Sequence, residues 1–197
     1  MIVEPVVLTG RHVRLEPVTL DHVPGLFKVG SDPEIWRYMP YGQIDSLEKM
    51  RALIQEMQRR QANGTDMPFV AIHLESNSPA GCTRYMDIQP AHRGLEIGGT
   101  WYGLAYRRTV VNTECKYLLL KHAFETLGCI RVQLKTDLRN ERSQRAIERI
   151  GAAREGVLRK SMIMPDGHQR YSVYYSIVDD EWPGVKKNLE GMLKRDA

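Results

Sequence analysis

Hydrophobic and polar residues follow two different periods along this chain, and each period predicts one kind of element. Stretches in which every second residue is apolar predict strands, at residues 13–17, 69–74, 82–88, 96–102, 131–136, 157–164 and 170–178. Stretches with apolar residues three and four apart predict helices, at residues 21–29, 33–38, 46–61 and 106–128, with a further helix opened by Asn140 and a polar amphipathic tail from Asp179. Because no repeat or linker interrupts them, we expect one mixed sheet with helices on both faces, an α/β fold.

Turn and capping residues mark several ends of these elements. Ser46 stands where it can cap the helix at 46–61, and the Asn63-Gly64 pair stops that helix. The run Pro165-Asp166-Gly167 lies between the last two predicted strands, which predicts that they form a hairpin.

Length and charge limit the class of protein. With 197 residues, 42% of them hydrophobic, the chain can bury the core of one domain and is short for two, so we expect a single domain over residues 1–197. The 28 basic and 24 acidic residues give a net charge of +4, which is a mixed surface and not a basic tail. This charge allows an anionic ligand, but the chain has no recognisable nucleic-acid motif, so nucleic acid is not the expected partner.

Cysteine, histidine and hydropathy patterns predict a cytoplasmic protein without a metal. The three cysteines are an odd number without CxxC spacing, which predicts neither a disulfide framework nor a zinc site, and the six histidines show no HExxH pair. The first residues do not resemble a signal peptide, and no stretch approaches the roughly 20 apolar residues that span a bilayer. We therefore expect no membrane partner.

An arginine-rich turn joins the strand at 96–102 to the helix at 106–128. Arg107 and Arg108 stand just before the helix, which Asn112 or Thr113 could cap. The first N–H groups of a helix have no partner within it and lie at the positive end of its dipole, which suits a pyrophosphate. An ordinary capped surface helix with a solvated arginine pair explains the same pattern, because the segment has neither a P-loop nor a GxGxxG motif.

A second strand-to-helix turn follows, and with it the chain resembles a known family. The strand at 131–136 leads through Asp137 to Asn140 and Ser143. The order and spacing of the segments resemble the GNAT superfamily of acetyl-CoA-dependent N-acyltransferases, most closely its RimJ/RimL-type branch that acetylates protein N-termini. The segments that carry this resemblance are residues 8–15, 96–98, 112–114, 140–143, 155–159, 174–177 and 181–182.

The resemblance implies a fold and a cofactor. The fold is a central mixed, mostly antiparallel sheet that is splayed between strands 4 and 5, here those at 96–102 and 131–136, with helices on both faces. The cofactor is acetyl-CoA, whose pyrophosphate would meet the turn at Arg107, although Val110 and Asn112 stand where the family usually has small residues. The residues that we assign to cofactor binding are Trp101, Tyr102, Arg107, Arg108, Thr109, Val111, Asn112, Thr113, Asn140 and Ser143.

Three groups are predicted around the pantetheine arm and the thioester. In the family the residue that matches Asn140 bonds the pantetheine arm, and a plain helix-capping role is its alternative. Many relatives carry a tyrosine that protonates the thiolate four residues after Ser143, where this chain has Ile147. Ser143 is therefore the hydroxyl predicted beside the sulfur, with a solvated helix serine as the alternative. The backbone N–H of Trp101 or Tyr102 would bind the acetyl carbonyl oxygen.

Glu96 is the predicted catalytic base. A protonated amine has no lone pair, so a carboxylate must take its proton, directly or through water, before the amine attacks the acetyl carbonyl. Glu96 lies on the strand expected to contact the cofactor, while an exposed strand carboxylate or the partner of an arginine is the alternative. His92 and Glu155 are weaker candidates, and Met162 stands where some RimL-like relatives place a carboxylate.

The sequence therefore predicts an N-acetyltransferase that moves an acetyl group from acetyl-CoA to a primary amine in a ternary complex. The acceptor is left open between a small molecule and a protein N-terminus, and homodimer formation is left open too. A catalytically silent CoA-binding or protein-interaction module on the same fold is the alternative, because Val110, Ile147 and Met162 depart from the family pattern.

Overall fold

One eight-stranded sheet carries the fold, in the strand order β1-β2-β3-β4-β5-β6-β8-β7. The computed structural model of the protein describes residues 1–195. All neighbouring strands pair antiparallel except β5 and β6, which are parallel, so the predicted mixed and mostly antiparallel sheet is confirmed. The strands are β1 (Leu8–Thr9), β2 (Val13–Pro17), β3 (Met67–His73), β4 (Ser78–Gln89), β5 (Gly94–Tyr102), β6 (Arg131–Asp137), β7 (Ala153–Ile163) and β8 (Gln169–Val178).

Five α-helices pack against this sheet and agree with the predicted order. They are α1 (Val23–Val29), α2 (Leu47–Ala62), α3 (Val110–Lys121), α4 (Glu141–Arg149) and α5 (Trp182–Arg195). Ser46 caps α2 and Asn140 caps α4, as predicted. The predicted helix at 33–38 is a single 3-10 turn, Pro33–Ile35.

The start of α3 differs from the prediction. The helical period continues back to residue 106, but Leu104–Tyr106 form a separate 3-10 turn and Arg108 adopts a left-handed conformation with φ of 61°. A left-handed residue cannot continue an α-helix, so α3 begins only at Val110. Its cap is Thr109, whose hydroxyl accepts a hydrogen bond from the N–H of Val111, and the prediction that Asn112 or Thr113 caps this helix was wrong.

Two hydrophobic cores lie on the two faces of the sheet. On the first face, side chains of α3, α4 and α5, including Leu119, Ile147 and Leu189, pack against β2, β3, β4, β5, β6 and β8. On the second face, α1 and α2 pack against β3, β4 and β5, and this core includes Trp101. Within residues 1–195, β6, β7 and β8 contribute no residue to the second core. Helices therefore cover both faces, as predicted, but on the second face the hydrophobic core ends at β5.

A buried carboxylate fixes α3 to the edge of the sheet. The side chain of Glu114 accepts hydrogen bonds from the backbone N–H groups of Arg11, His12 and Val13, at 2.8, 2.7 and 2.7 Å. Gly10 lies against the same carboxylate and has no room for a Cβ atom. Three charge-assisted hydrogen bonds therefore hold α3 against the turn between β1 and β2.

Candidate functional site

The parallel strands β5 and β6 separate after a short paired segment. In the described part of the chain, only three residue pairs join them, Gly94 with Arg131, Leu95 with Val132 and Glu96 with Gln133. Beyond these pairs β5 runs on to residue 102 and β6 to residue 137 without pairing to each other. The facing edges of the two strands are therefore free over residues 97–102 and 134–137, which is the splay that the family resemblance implies.

A bulge in β5 lies beside this opening. Gly98 pairs with Arg84 and Trp101 pairs with Cys82, so Gly99 and Thr100 together face one residue of β4. Gly99 has φ of 57°, a conformation that glycine adopts without strain. A bulge redirects the side chains that follow it. Here it separates the part of β5 that carries Glu96 from the part that leads to α3.

The bulged strand presents a free backbone N–H to the opening. The N–H of Gly103 donates to the carbonyl oxygen of Ala80 at 2.9 Å, while Tyr102 pairs with Gly81. In an antiparallel ladder this arrangement makes Tyr102 and Gly81 a non-hydrogen-bonded pair, whose N–H and C=O groups point away from each other. The N–H of Tyr102 therefore points toward the opening, and that of Trp101 points toward β4. Of the two predicted oxyanion donors, the geometry favours Tyr102.

The side chains of both aromatic residues serve the cores. Trp101 packs against Trp36, with ring centroids 5.0 Å apart, in the second core. Tyr102 is buried in the first core, where burial raises the pKa of its hydroxyl well above the usual value. Their contribution to a bound ligand is therefore limited to backbone groups and ring edges.

Glu96 lies where β5 and β6 separate. Its neighbours Leu95 and Ile97 point into the first core, so strand alternation directs Glu96 to the second face. The side chain is 3% exposed, and its Oε2 atom accepts from Gln133 Nε2 at 3.0 Å and pairs with Lys135 Nζ at 2.9 Å. Its Oε1 atom lies over Gly98, where a Cβ atom would come within 2.7 Å of it. Glu96 is thus a buried, ion-paired carboxylate and not an exposed strand residue.

A buried lysine lies behind β5, at a position that no sequence pattern indicated. Lys116 of α3 is 7% exposed, and its Nζ atom donates to Thr100 Oγ1 at 2.9 Å. The Thr100 hydroxyl also lies 2.8 Å from that of Thr83. Burial lowers the pKa of Lys116 to about 8, although the charge of Glu96 acts in the opposite direction.

The turn before α3 brings one predicted arginine into the protein and leaves the other exposed. Arg107 is held by Asp32, with 3.2 Å between Nη1 and Oδ2, and its Nε atom donates to the Tyr102 carbonyl at 3.3 Å. Burial, and then the charge of Arg142 on α4, lower the pKa of Arg107. Arg108 is exposed. Arg142 was absent from the predicted site. Its position two residues after Asn140 is the sequence feature that could have indicated it.

In the first turn of α3, backbone groups are more available to a ligand than side chains are. Val111 is buried in the first core, and the Thr113 hydroxyl is buried where it accepts from Arg149 Nη2 at 2.9 Å. Asn112 is half-buried, and the Thr109 hydroxyl is engaged as the cap and donates to the Tyr106 carbonyl. Because the cap satisfies only the N–H of Val111, other N–H groups of this first turn are left for an outside acceptor.

The start of α4 brings Asn140 and Ser143 together. Asn140 Oδ1 accepts from the backbone N–H of Ser143 at 3.1 Å, so the capping role of Asn140 is present. Ser143 itself is half-buried. Ile147, one turn further along, is buried in the first core. The position at which many relatives have a tyrosine is therefore filled by a packing residue.

The weaker candidate bases lie away from the open part of the site. His92 is exposed in the turn before β5, at the end opposite to Tyr102. Glu155 is exposed on β7 and forms an ion pair with Arg131, which lowers the pKa of Glu155. Met162 lies on β7 opposite Arg170. None of the three is placed as Glu96 is, between the separating strands.

A splayed parallel pair with a free N–H at one edge and two helix N-termini at its mouth is the architecture expected for an acyl-CoA-dependent transferase. A family model described as "Acetyltransferase (GNAT) domain" matches residues 12–153. The chain belongs to the GNAT acetyltransferase family and is an acyltransferase, as predicted, while the RimJ/RimL-like type stays a prediction.

Similar proteins come from several bacteria. A crystal structure of an acetyltransferase from T. thermophilus is 42% identical with a TM-score of 0.89, covering 98% of this chain and 100% of that chain. The Bacillus subtilis protein named "Putative ribosomal N-acetyltransferase YdaF" is 31% identical over 113 residues, which are 57% of this chain and only 61% of that protein. RimJ of Mycobacterium smegmatis shares the fold, with a TM-score of 0.82 at 17% identity over 95% of each chain.

The helices of this fold are short or polar relative to a bilayer. Across residues 1–195, none combines the length and the apolar character that crossing a membrane requires.

Proposed function

We propose that the protein transfers the acetyl group of acetyl-CoA to a primary amine by direct attack in a ternary complex. The observation that carries this proposal is the placement of Glu96, a buried carboxylate on the second face at the point where β5 and β6 separate. An amine that enters from the second face would meet this carboxylate beside the thioester. We include a protein N-terminus among the acceptors because of the similarity to YdaF.

The cofactor would lie across the opening between the two strands. Its pyrophosphate would accept hydrogen bonds from the first-turn N–H groups of α3, with the exposed guanidinium groups of Arg108 and Arg142 nearby. Its pantetheine arm would run between the free edges of β5 and β6, past Asn140. The structure of Mycobacterium smegmatis RimJ, which has a related fold, is of a complex with CoA-disulfide. This similarity supports CoA as the cofactor that the fold binds.

The chemistry follows from these positions. Glu96, directly or through water, takes a proton from the ammonium group of the acceptor, and the ion pair with Lys135 holds the carboxylate in position. The neutral nitrogen attacks the acetyl carbonyl carbon, and the N–H of Tyr102 stabilises the oxygen as negative charge develops on it. The bond from carbon to sulfur then breaks. The attacking nitrogen, positively charged after the attack, gives up its remaining extra proton, which would reach the departing thiolate through the hydroxyl of Ser143, so that the serine ends unchanged.

A screen of amine acceptors with acetyl-CoA tests this proposal. Peptides with different N-terminal residues and a set of small primary amines are incubated with the protein, and free thiol is measured together with the mass of the acceptor. We expect thiol to be released only when a suitable acceptor is present, and we expect the acetylated amine as the product. CoA binding in calorimetry without acetylation of any amine would contradict it and would favour the silent CoA-binding module.

A further inference from the structure

Arg170 is a buried guanidinium group without a carboxylate partner. The residue is 6% exposed and lies near the start of β8. Its Nε atom donates to Ser172 Oγ at 3.0 Å, and its Nη1 atom donates to the Tyr38 carbonyl at 3.4 Å. No carboxylate oxygen of residues 1–195 forms a salt bridge with it within 4.0 Å. Burying a charge is costly unless another charge or a full set of hydrogen bonds compensates it.

The nearest carboxylates already have cations of their own. Asp137 is paired with Arg139 at 2.9 Å, and Glu96 is paired with Lys135. Burial lowers the pKa of Arg170, and the opposing effects of Asp137 and Glu96 do not reverse this. Both carboxylates are therefore paired with a cation other than Arg170, and the charge of Asp166 also acts on Arg139.

Arg170 and Glu96 lie on the same face of the sheet. Val173 and Tyr175 point into the first core, so the alternate residues Arg170 and Tyr174 point to the second face. Tyr174 pairs with Lys135 across the strands, and the Lys135 Nζ atom lies 6.0 Å from its ring centroid. A continuous row of polar side chains therefore runs along the second face from Glu96 through Lys135 and Tyr174 to Arg170.

The loop between the 3-10 turn Pro33–Ile35 and α2 covers this row of polar side chains at its Arg170 end. Tyr38 accepts the hydrogen bond from Arg170 through its backbone carbonyl and lies under the Arg139 guanidinium, which is 5.7 Å from its ring centroid. Gly42 of the same loop lies against Pro165 in the turn between β7 and β8. The bond to the Tyr38 carbonyl is long, so a carboxylate that reaches Arg170 would make a shorter and stronger contact in its place.

We propose that Arg170 binds an anionic group of the acceptor, so that the preferred substrate is a primary amine that also carries a carboxylate. This inference rests on the proposed function, because it assumes that the amine lies at Glu96. The carboxylate would come either from an acidic residue near a peptide N-terminus or from a free small amine. In both cases the planar guanidinium would hold it through charge-assisted hydrogen bonds.

Matched pairs of acceptors test the proposal and distinguish the two sources. One pair is the amidated peptides Ser-Glu-Ala-Ala and Ser-Gln-Ala-Ala, and the other is 4-aminobutyrate and butylamine. In at least one pair the wild-type protein is expected to prefer the anionic member by about 10- to 100-fold in kcat/KM. The pair that shows the preference identifies the source. Equal kcat/KM within both pairs would overturn the proposal.

Two variants and a control then assign the preference to this residue. Arg170→Gln is expected to abolish the preference while leaving kcat/KM for the neutral member within about threefold, and Arg170→Lys is expected to keep part of it. The control Arg59→Gln removes an exposed guanidinium of α2 that pairs with Glu56, away from Arg170, and is expected to keep the preference. A preference that survives in Arg170→Gln would overturn the proposal.

Binding and stability measurements separate this inference from the proposed function. If no amine is acetylated, the proposed function fails, but calorimetry in the presence of CoA still tests whether 4-aminobutyrate or the acidic peptide binds more weakly to Arg170→Gln. Equal binding by the two proteins would overturn the anion site. Without an acceptor, Arg170→Gln is expected to be as stable as the wild type, because it removes a buried charge that forms no salt bridge. A large loss of stability would instead indicate a purely structural role.

Discussion

Glu96 on β5 and Lys135 on β6 form an ion pair of 2.9 Å just past the last residues that join the two strands. The backbone ladder between these strands ends at Glu96 and Gln133, so the side-chain pair connects them where the backbones begin to diverge. The glutamate side chain of this pair is buried, and the lysine side chain is 25% exposed. The inner end of the opening is thus fixed by one charge pair, which also keeps the candidate base in place.

The first prediction concerns the cationic groups that would hold the pyrophosphate. Arg107 is already paired with Asp32, whereas Arg108 and Arg142 are exposed. The double change Arg108→Ala/Arg142→Ala is therefore expected to weaken CoA binding about 10-fold at low salt, and by less at about 0.5 M salt because the ions screen exposed charges. Calorimetric titration with CoA at both salt concentrations measures this effect.

The control for this experiment is Arg59→Ala, which removes an exposed arginine of α2 that pairs with Glu56. Its CoA affinity is expected to equal that of the wild type. If the double variant also binds CoA like the wild type at low salt, the turn before α3 does not bind the pyrophosphate.

A second prediction separates the two roles of the Asn140 turn. Asn140→Ala removes the cap on the Ser143 N–H and is expected to cost about 1 kcal/mol in the free energy of unfolding. It is also expected to raise the KM for acetyl-CoA, whereas Ser143→Ala is expected mainly to lower kcat. Steady-state kinetics and urea unfolding of each variant provide both measurements.

Ser46→Ala is the matched control, because Ser46 caps α2 through the N–H of Lys49 at 3.2 Å and lies in the helix that covers the second face. It is expected to lose a similar amount of stability with unchanged kinetics. Asn140→Ala with the same profile as Ser46→Ala would show that Asn140 is a cap and nothing more.

The third prediction concerns pH and the buried Lys116. Its pKa is about 8 in the folded protein against a reference value of 10.5, so between these values the unfolded chain binds a proton that the folded chain does not. The free energy of unfolding therefore rises with pH over this range. Below about pH 8 the folded protein carries the buried charge, and its destabilising effect is complete. Lys116→Met is expected to raise the free energy of unfolding at pH 7 by about 1 to 3 kcal/mol.

Urea unfolding at pH 7, 9 and 10.5 checks this prediction. The advantage of Lys116→Met over the wild type is expected to shrink as the pH rises, while the control Lys121→Met, an exposed position on the same helix, is expected to show no such trend. A constant difference across the three pH values would mean that Lys116 does not change its charge on unfolding in this range.

Local sequence signals predicted most of the fold. The apolar spacing of Leu47, Met50, Leu53, Ile54 and Met57 predicted the buried face of α2, and all of these side chains are buried except Leu47, which is exposed in the first turn. The capping residues of α2 and α4 were also identified, because a side chain that bonds a backbone group three residues later depends only on local geometry. At α3 the same reasoning failed, since the left-handed conformation of Arg108 interrupts a helical period that continues through it.

Much of the candidate site depends on register, which the sequence does not reveal. The partners of Glu96 are 37 and 39 positions away on a parallel strand, and a shift of one residue would place Lys135 on the other face. The burial of Lys116 and Arg170 was missed for a related reason. A charged residue predicts a solvated position unless the packing of the adjacent elements is known.

The most direct test of the account is the pH–rate profile of Glu96→Gln with an acceptor that the wild type acetylates. The variant is expected to bind CoA as tightly as the wild type, while its kcat at pH 7 falls by about 10²- to 10⁴-fold. Its rate is expected to recover in part as rising pH leaves more of the amine neutral. Glu155→Gln, which alters an exposed carboxylate on β7, is expected to match the wild type throughout. A Glu96→Gln enzyme with the wild-type rate across the pH range would contradict the central claim, because the amine would then lose its proton to another group.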